Sequence, residues 1–129
     1  MLRGMDARRQ TRGRAADARG LAAEAACAAV LARAGFTLLG QRLRTGAGEI
    51  DLVARRGELT LIVEVKARPG AAEAAFAIGP RQRARLVAAT EALMAKEPAW
   101  FGEGLRFDAM FVAADGTVHW LEDAFRPGD

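Results

Sequence analysis

The chain has one cysteine, one histidine and no tyrosine among its 129 residues. A lone Cys27 excludes an intramolecular disulfide and a cysteine metal cluster. Set among alanines, it reads as a small core residue. His119, equally alone, lies in the run Thr117–Leu121 and reads as structural or exposed rather than as a ligand. Two tryptophans and six phenylalanines leave little material for a base-stacking platform. No apolar run reaches the roughly 18–20 residues that cross a bilayer, and Glu24 interrupts the alanine-rich stretch. The N-terminus is rich in arginine rather than apolar, which argues against a secretory signal; the lack of serine in the first 19 residues disfavours a transit peptide. Cytoplasm and no membrane association are therefore expected. Lysine is nearly missing too, occurring only at Lys66 and Lys96.

What is present is an arginine-dominated basic bias, with a formal net charge of +3. Arg3, Arg8, Arg9, Arg12, Arg14 and Arg19 make residues 1–19 a basic arm, ahead of one domain over 20–125 and a short tail at 126–129. Arg42 and Arg44 precede the first well-marked strand, Arg55 and Arg56 sit at a hairpin, and Arg68 follows Lys66. Arg81, Arg83 and Arg85 open a second long helix, with Pro80 at its first position. Such groups either contact phosphates, with salt-dependent binding and little sequence information, or are solvated surface charge.

The pattern predicts a helix over 20–34, stopped at Gly35, with Leu21, Glu24, Ala25, Ala28, Leu31 and Ala32 on one stripe. Glu24, the only charge in that segment, then lies on or beside the packing face and needs a cation, a donor or water, unless it reaches solvent at the stripe's edge. Strand material follows near 36–44, then a hairpin of 48–54 and 59–66. A connection over 69–79 leads to a helix over 81–96 with Leu86, Val87, Ala89, Thr90 and Leu93 inward. Strands at 105–113 and 117–121 close the chain around an Asp115-Gly116 turn. This α-β-β-β-α-β-β order describes an α/β protein with a mixed central sheet flanked by helices.

The hairpin is the most informative segment. With residues 55–58 as the turn, or 56–57 as a two-residue turn, Ala54 faces Leu59, Asp51 faces Ile62 and Glu49 faces Glu64. Asp51 and Glu64 are then diagonal neighbours on one face, roughly 7–8 Å apart. Lys66 lies on the same face about 6.5–7 Å further on, while Leu59, Leu61, Val63 and Val65 build the core behind. Mg²⁺ takes oxygen ligands, often one or two carboxylates with waters and substrate phosphates. A nearby ammonium can orient a metal-activated water or stabilise the transition state. The plainer alternative is a surface hairpin with a Glu64–Lys66 or Glu49–Lys66 ion pair. Glu49 either adds to the acidic cluster or faces solvent.

Gly-Glu-Ile-Asp-Leu-Val at 48–53, Val-Glu-Val-Lys-Ala-Arg at 63–68, Arg-Phe-Asp at 106–108 and Glu-Asp-Ala-Phe at 122–125 resemble the YraN family over about residues 20–125. That family of small bacterial proteins is related to PD-(D/E)xK nucleases and archaeal Holliday junction resolvases. The resemblance implies a restriction-endonuclease-like fold, Asp51 and Glu64 as ligands of Mg²⁺ or Mn²⁺ with the Val65 carbonyl as a further candidate, Lys66 as the catalytic lysine and Glu24 as an acidic residue from the first helix. Resolvase relatives act as dimers, so a homodimer is implied as well. The chain departs from the family in having Gln82 where lysine is frequent, Arg42 where asparagine is frequent, and Asp123 for the asparagine before Ala-Phe.

Residues and resemblance together predict a metal-dependent nuclease acting on DNA, with branched or junction DNA as the implied substrate. Arg68, Arg81, Gln82, Arg83 and Arg85 are the expected phosphate contacts. The alternatives are a non-catalytic nucleic-acid-binding module of the same fold and a protein-interaction factor that uses its basic arm.

Overall fold

The structure, a computed structural model, describes residues 20–66 and 78–128. The basic arm over 1–19, Arg68, and residues 69–77 of the expected connection lie outside them.

Residues 20–33 are helical (α1). The helix stops in two closing bonds, Phe36 N–H to the Leu31 carbonyl and Gly35 N–H to the Ala32 carbonyl, both 3.0 Å. Gly35 supplies the left-handed residue this ending needs (φ 90°). Leu31 and Phe36 then pack in the same core cluster. The buried stripe differs from the expected one: Ala23, Glu24, Cys27 and Leu31 are buried, whereas Ala25 and Ala32 are exposed and Leu21 is 48% exposed. Alanine on every side of the helix gives little hydrophobic contrast, so the packing partners, not periodicity, set its rotation.

The sheet has five strands in spatial order β1-β2-β3-β4-β5: β1 (Thr37–Thr45), β2 (Gly48–Arg56), β3 (Leu59–Lys66), β4 (Gly104–Val112) and β5 (Val118–Phe125). Only β3 and β4 run parallel, as a crossover connection between them requires. That crossover contains helix α2 (Pro80–Lys96), with Pro80 in its first turn, followed by a 3₁₀ turn at Pro98–Trp100. Leu86, Ala89, Thr90 and Leu93 are its buried face, as their spacing predicts.

Neighbouring side chains on β3 divide between two cores. Leu61 and Val63, with Leu59 and Val65 beside them, pack with Leu52, Ala54 and Met110 against Cys27 and Leu31 of α1. Ile62 packs with Val53, Phe107 and Phe125 against Leu86, Ala89 and Leu93 of α2. The helices therefore cover opposite faces of an α/β mixed sheet.

The β2–β3 register corrects the expected one by two residues. Arg56 faces Leu59, Ala54 faces Leu61 and Leu52 faces Val63, so the turn is Gly57-Glu58. Gly57 takes the positive φ (58°) of a tight hairpin's first turn position. Arg56 belongs to the strand because its guanidinium lies 4.3 Å from the Phe36 ring centroid and donates to the Ala34 carbonyl at 2.8 Å. A two-residue correction preserves parity, so the side chains of β3 and of Leu52–Ala54 stay on their expected faces, whereas Ile50 packs toward α2 against expectation. The correction does, however, bring Asp51 level with Glu64 instead of diagonal to it.

Both edge strands are irregular. On β1 the register slips at Leu39, and Arg42 is left-handed (φ 49°). On β5, two steps of β4 from Phe107 to Ala109 match four steps from Phe125 to Leu121, with Asp123 left-handed (φ 55°) inside the bulge. Bulges of this kind blunt an edge against pairing with other chains. Asp108, fully buried opposite the bulge, holds it: its carboxylate accepts from Asp123 N–H (3.0 Å), Trp120 Nε1 (2.9 Å) and two Arg106 nitrogens (2.8 Å each).

Candidate active site

Asp51 occupies the one place where β2 loses its alternation. Leu52 and Ala54 pack toward α1 and Val53 toward α2, but Ile50 also packs toward α2. The ladder to β3 ends at Leu52↔Val63, and the Asp51 carboxylate, not a backbone carbonyl, accepts the next N–H, that of Val65, at 2.8 Å. The side chain is thereby anchored to the end of β3, beside Glu64.

Glu64 and Lys66 project from the α2 face of β3, by alternation with Ile62. Asp51 and Glu64 interact electrostatically: burial, then the charges of Glu24 and Glu49, raise the Asp51 carboxyl, and burial, then the charge of Asp51, raises that of Glu64. Glu64 is pushed up to about 8, so the pair retains one proton at neutral pH. Lys66 and Arg85 oppose that rise, which puts two positive charges within electrostatic reach of Glu64. A cleft of about 210 Å³ opens over the pair, lined by Gly48, Glu49, Asp51, Glu64, Gln82, Arg85 and Leu86. Glu49 is exposed yet contributes to the same acidic cluster, raising Asp51 through its charge.

Gln82 is half-buried and lines the cleft. Its Nε2 donates to Glu64 Oε1. The spacing Gln82, Leu86, Ala89, Leu93 places it on the inward stripe of α2, a signal available in the sequence. Of the three arginines opening α2, Arg85 lines the acidic cleft, Arg81 is exposed, and Arg83 lines a separate cavity with Phe125 and Arg126.

Glu24 is buried and finds its cation in Arg42, whose Nε lies 2.8 Å from Oε2. It does not line the cleft, but its charge reaches Asp51 and raises it. Cys27, fully buried one turn further along α1, is pushed up to about 12 by burial and then by Asp51 and Glu24. It is a packed, inert thiol under the acidic site.

The hairpin arginines are used structurally. Arg55 donates to the Gly57 and Ala99 carbonyls at 2.8 Å each, and Arg56 to Ala34. His119 stacks on Phe111 with centroids 5.7 Å apart. Among the described residues no group of three or more histidine, cysteine, aspartate or glutamate side chains is arranged to hold a metal ion. Two carboxylates lining one open cleft do match a hard cation that keeps several waters and takes one or two carboxylates.

A model of the uncharacterised protein family UPF0102, which is the YraN family, matches residues 23–112. The chain is 50% identical over 115 residues to a UPF0102 protein of Granulibacter bethesdensis, covering 89% of this chain and 73% of that one. It is 50% identical over 114 residues to a UPF0102 protein of Azorhizobium caulinodans, covering 88% and 87%. A third relative, from Acidiphilium cryptum, is 43% identical over 128 residues and 99% of both chains.

Proposed function

The chain belongs to the UPF0102, or YraN, family, and we propose that it is a metal-dependent nuclease of the restriction-endonuclease-like fold, hydrolysing phosphodiester bonds in DNA. One observation carries this reading: Asp51 and Glu64 line the same cleft, with Arg85 beside them and the charge of Lys66 reaching Glu64. Branched or junction DNA is the favoured substrate, on the strength of the family resemblance.

Asp51 and Glu64 would hold Mg²⁺ or Mn²⁺, with the Val65 carbonyl as a further candidate ligand. The fit rests on an oxygen-only donor set and on two carboxyls that, without a cation, keep a proton between them. A bound divalent ion would activate water and offset charge developing on the phosphate. Lys66 orients that water or stabilises the charge on the phosphate. Arg85, which lines the cleft, draws the phosphate in, and Arg68, Arg81 and Arg83 are proposed as further contacts to the nucleic-acid backbone. Glu24 acts at one remove, through its charge on Asp51.

Cleavage of labelled junction, flap and linear DNA in Mg²⁺ or Mn²⁺ tests the reading. Wild-type protein is expected to cut, chelator to stop it, and Asp51→Ala to fall to background. An Asp51→Ala protein that cuts as well as wild type would show that the activity comes from elsewhere.

A second reading is a non-catalytic nucleic-acid-binding module with the same acidic cleft. It requires salt-sensitive DNA binding without metal-dependent scission.

A further inference from the structure

We propose that Gln82 is a positioning residue for Glu64: from the first turn of α2 its amide fixes the carboxylate that faces Asp51, without neutralising it. The inference rests on reading Asp51 and Glu64 as the cation site, and it changes the role of Gln82 from phosphate contact to support of a ligand.

Three observations converge. Gln82 Nε2 donates to Glu64 Oε1, a contact between the crossover helix and the sheet across 18 residues of sequence. Gln82 is half-buried, and it shares its stripe with Leu86, Ala89 and Leu93, which are locked into the α2-facing core. The amide is thus held on a rigid element, as an orienting group must be. The third observation concerns charge. Lys66 and Arg85 already supply positive charge to Glu64, and Gln82 adds a donor but no cation.

The chemistry distinguishes amide from ammonium. A neutral donor restricts the carboxylate's rotamers and leaves its full charge for a metal. A lysine at the same place would form an ion pair with Glu64 and compete with the metal for it. Loss of an outer partner to a ligand typically weakens metal binding roughly 10–100-fold.

The test is calorimetric titration of Mn²⁺ into full-length wild type, Gln82→Met and Gln82→Lys, beside binding of junction DNA in chelator. Methionine keeps the length and flexibility of the side chain but not its donor, and a thermal melt of each variant reports that it is folded. Gln82→Met is expected to bind Mn²⁺ about tenfold more weakly, with DNA binding in chelator within twofold of wild type. Gln82→Lys is expected to bind Mn²⁺ more weakly still and DNA more tightly. Wild-type Mn²⁺ affinity in both folded variants would overturn the inference alone. So would a loss of DNA affinity in Gln82→Met with Mn²⁺ binding unchanged, since that is a phosphate contact's signature. Wild-type protein that takes up no Mn²⁺ would overturn both this inference and the functional reading beneath it.

Discussion

Arg42 stands level with Asp51 across the β1–β2 ladder, between the pairs Gln41↔Leu52 and Leu43↔Ile50, and its backbone is left-handed. The alternation of β2 fails at the same level, where Asp51 turns its carboxylate to the Val65 N–H. The family resemblance leads one to expect asparagine at Arg42 and at Asp123, the two non-glycine residues with positive φ among those described. Asparagine and aspartate tolerate that conformation better than most residues. Asparagine would therefore suit the backbone at both positions.

Arg42 also neutralises the buried Glu24, so substitution there has two separable costs. Arg42→Ala keeps the strained φ and leaves a buried carboxylate without its cation, a loss of about 3 kcal/mol or more. Glu24→Gln retains a neutral hydrogen-bonding group and should cost less. Arg42→Asn combined with Glu24→Gln should recover most of the stability, because asparagine fits the backbone and no charge is left buried. Urea denaturation of the single and double variants measures the cycle. Equal losses for Arg42→Ala and Glu24→Gln would show that the ion pair contributes little.

Asp108 is predicted to be the most destabilising polar position outside the cleft. Asp108→Ala removes the acceptor for Arg106, Trp120 and the bulge N–H of Asp123 together. The expected loss is about 3–5 kcal/mol in urea unfolding, the usual cost of breaking a buried charged pair by removing one partner. Substitution of Glu122, whose carboxylate lies 3.8 Å from Arg106 and is largely exposed, should cost less than about 1 kcal/mol.

Much of this molecule is legible in the sequence. The order of elements, the inner face of α2 and the sharing of one face by Glu64 and Lys66 follow from alternation, helical spacing and turn residues. The register did not follow, because Arg55 and Arg56 look like turn residues until their carbonyl and ring partners are known. Nor did the rotation of α1, where alanine surrounds Cys27 on most sides. The Glu64–Gln82 bond depends on how a helix lands on a strand 18 residues away, which no local pattern encodes.

The arginines divide into two classes with different readouts. Arg56→Ala should cost about 1–2 kcal/mol, from one carbonyl hydrogen bond and one cation–π contact, and leave DNA affinity unchanged. Arg85→Ala should leave stability nearly unchanged, weaken DNA binding and reduce the salt slope of binding by about one. Fluorescence anisotropy at several salt concentrations, beside thermal melts, separates the two. A slope change in Arg56→Ala would contradict the assignment.

Stability of the metal-free protein should depend on pH through the carboxyl pair. Glu64 is raised from 4.5 to about 8 by burial and by Asp51, so between those values the folded protein binds more protons than the unfolded chain. Its stabilising contribution is complete below pH 4.5 and is lost as pH rises through 8. In chelator, the midpoint of thermal unfolding should therefore fall between pH 6 and pH 9, and Glu64→Gln should flatten that fall. Added Mn²⁺ should stabilise more at the upper end, where no proton competes for the ligands.

The most direct measurement is anomalous diffraction from crystals of the protein grown with Mn²⁺. The predicted result is a peak about 2.0–2.3 Å from a carboxylate oxygen of Asp51 and one of Glu64, lost in Asp51→Ala. Density for the ion elsewhere, or none at the pair at saturating Mn²⁺, would contradict the assignment of these two carboxylates as a cation site.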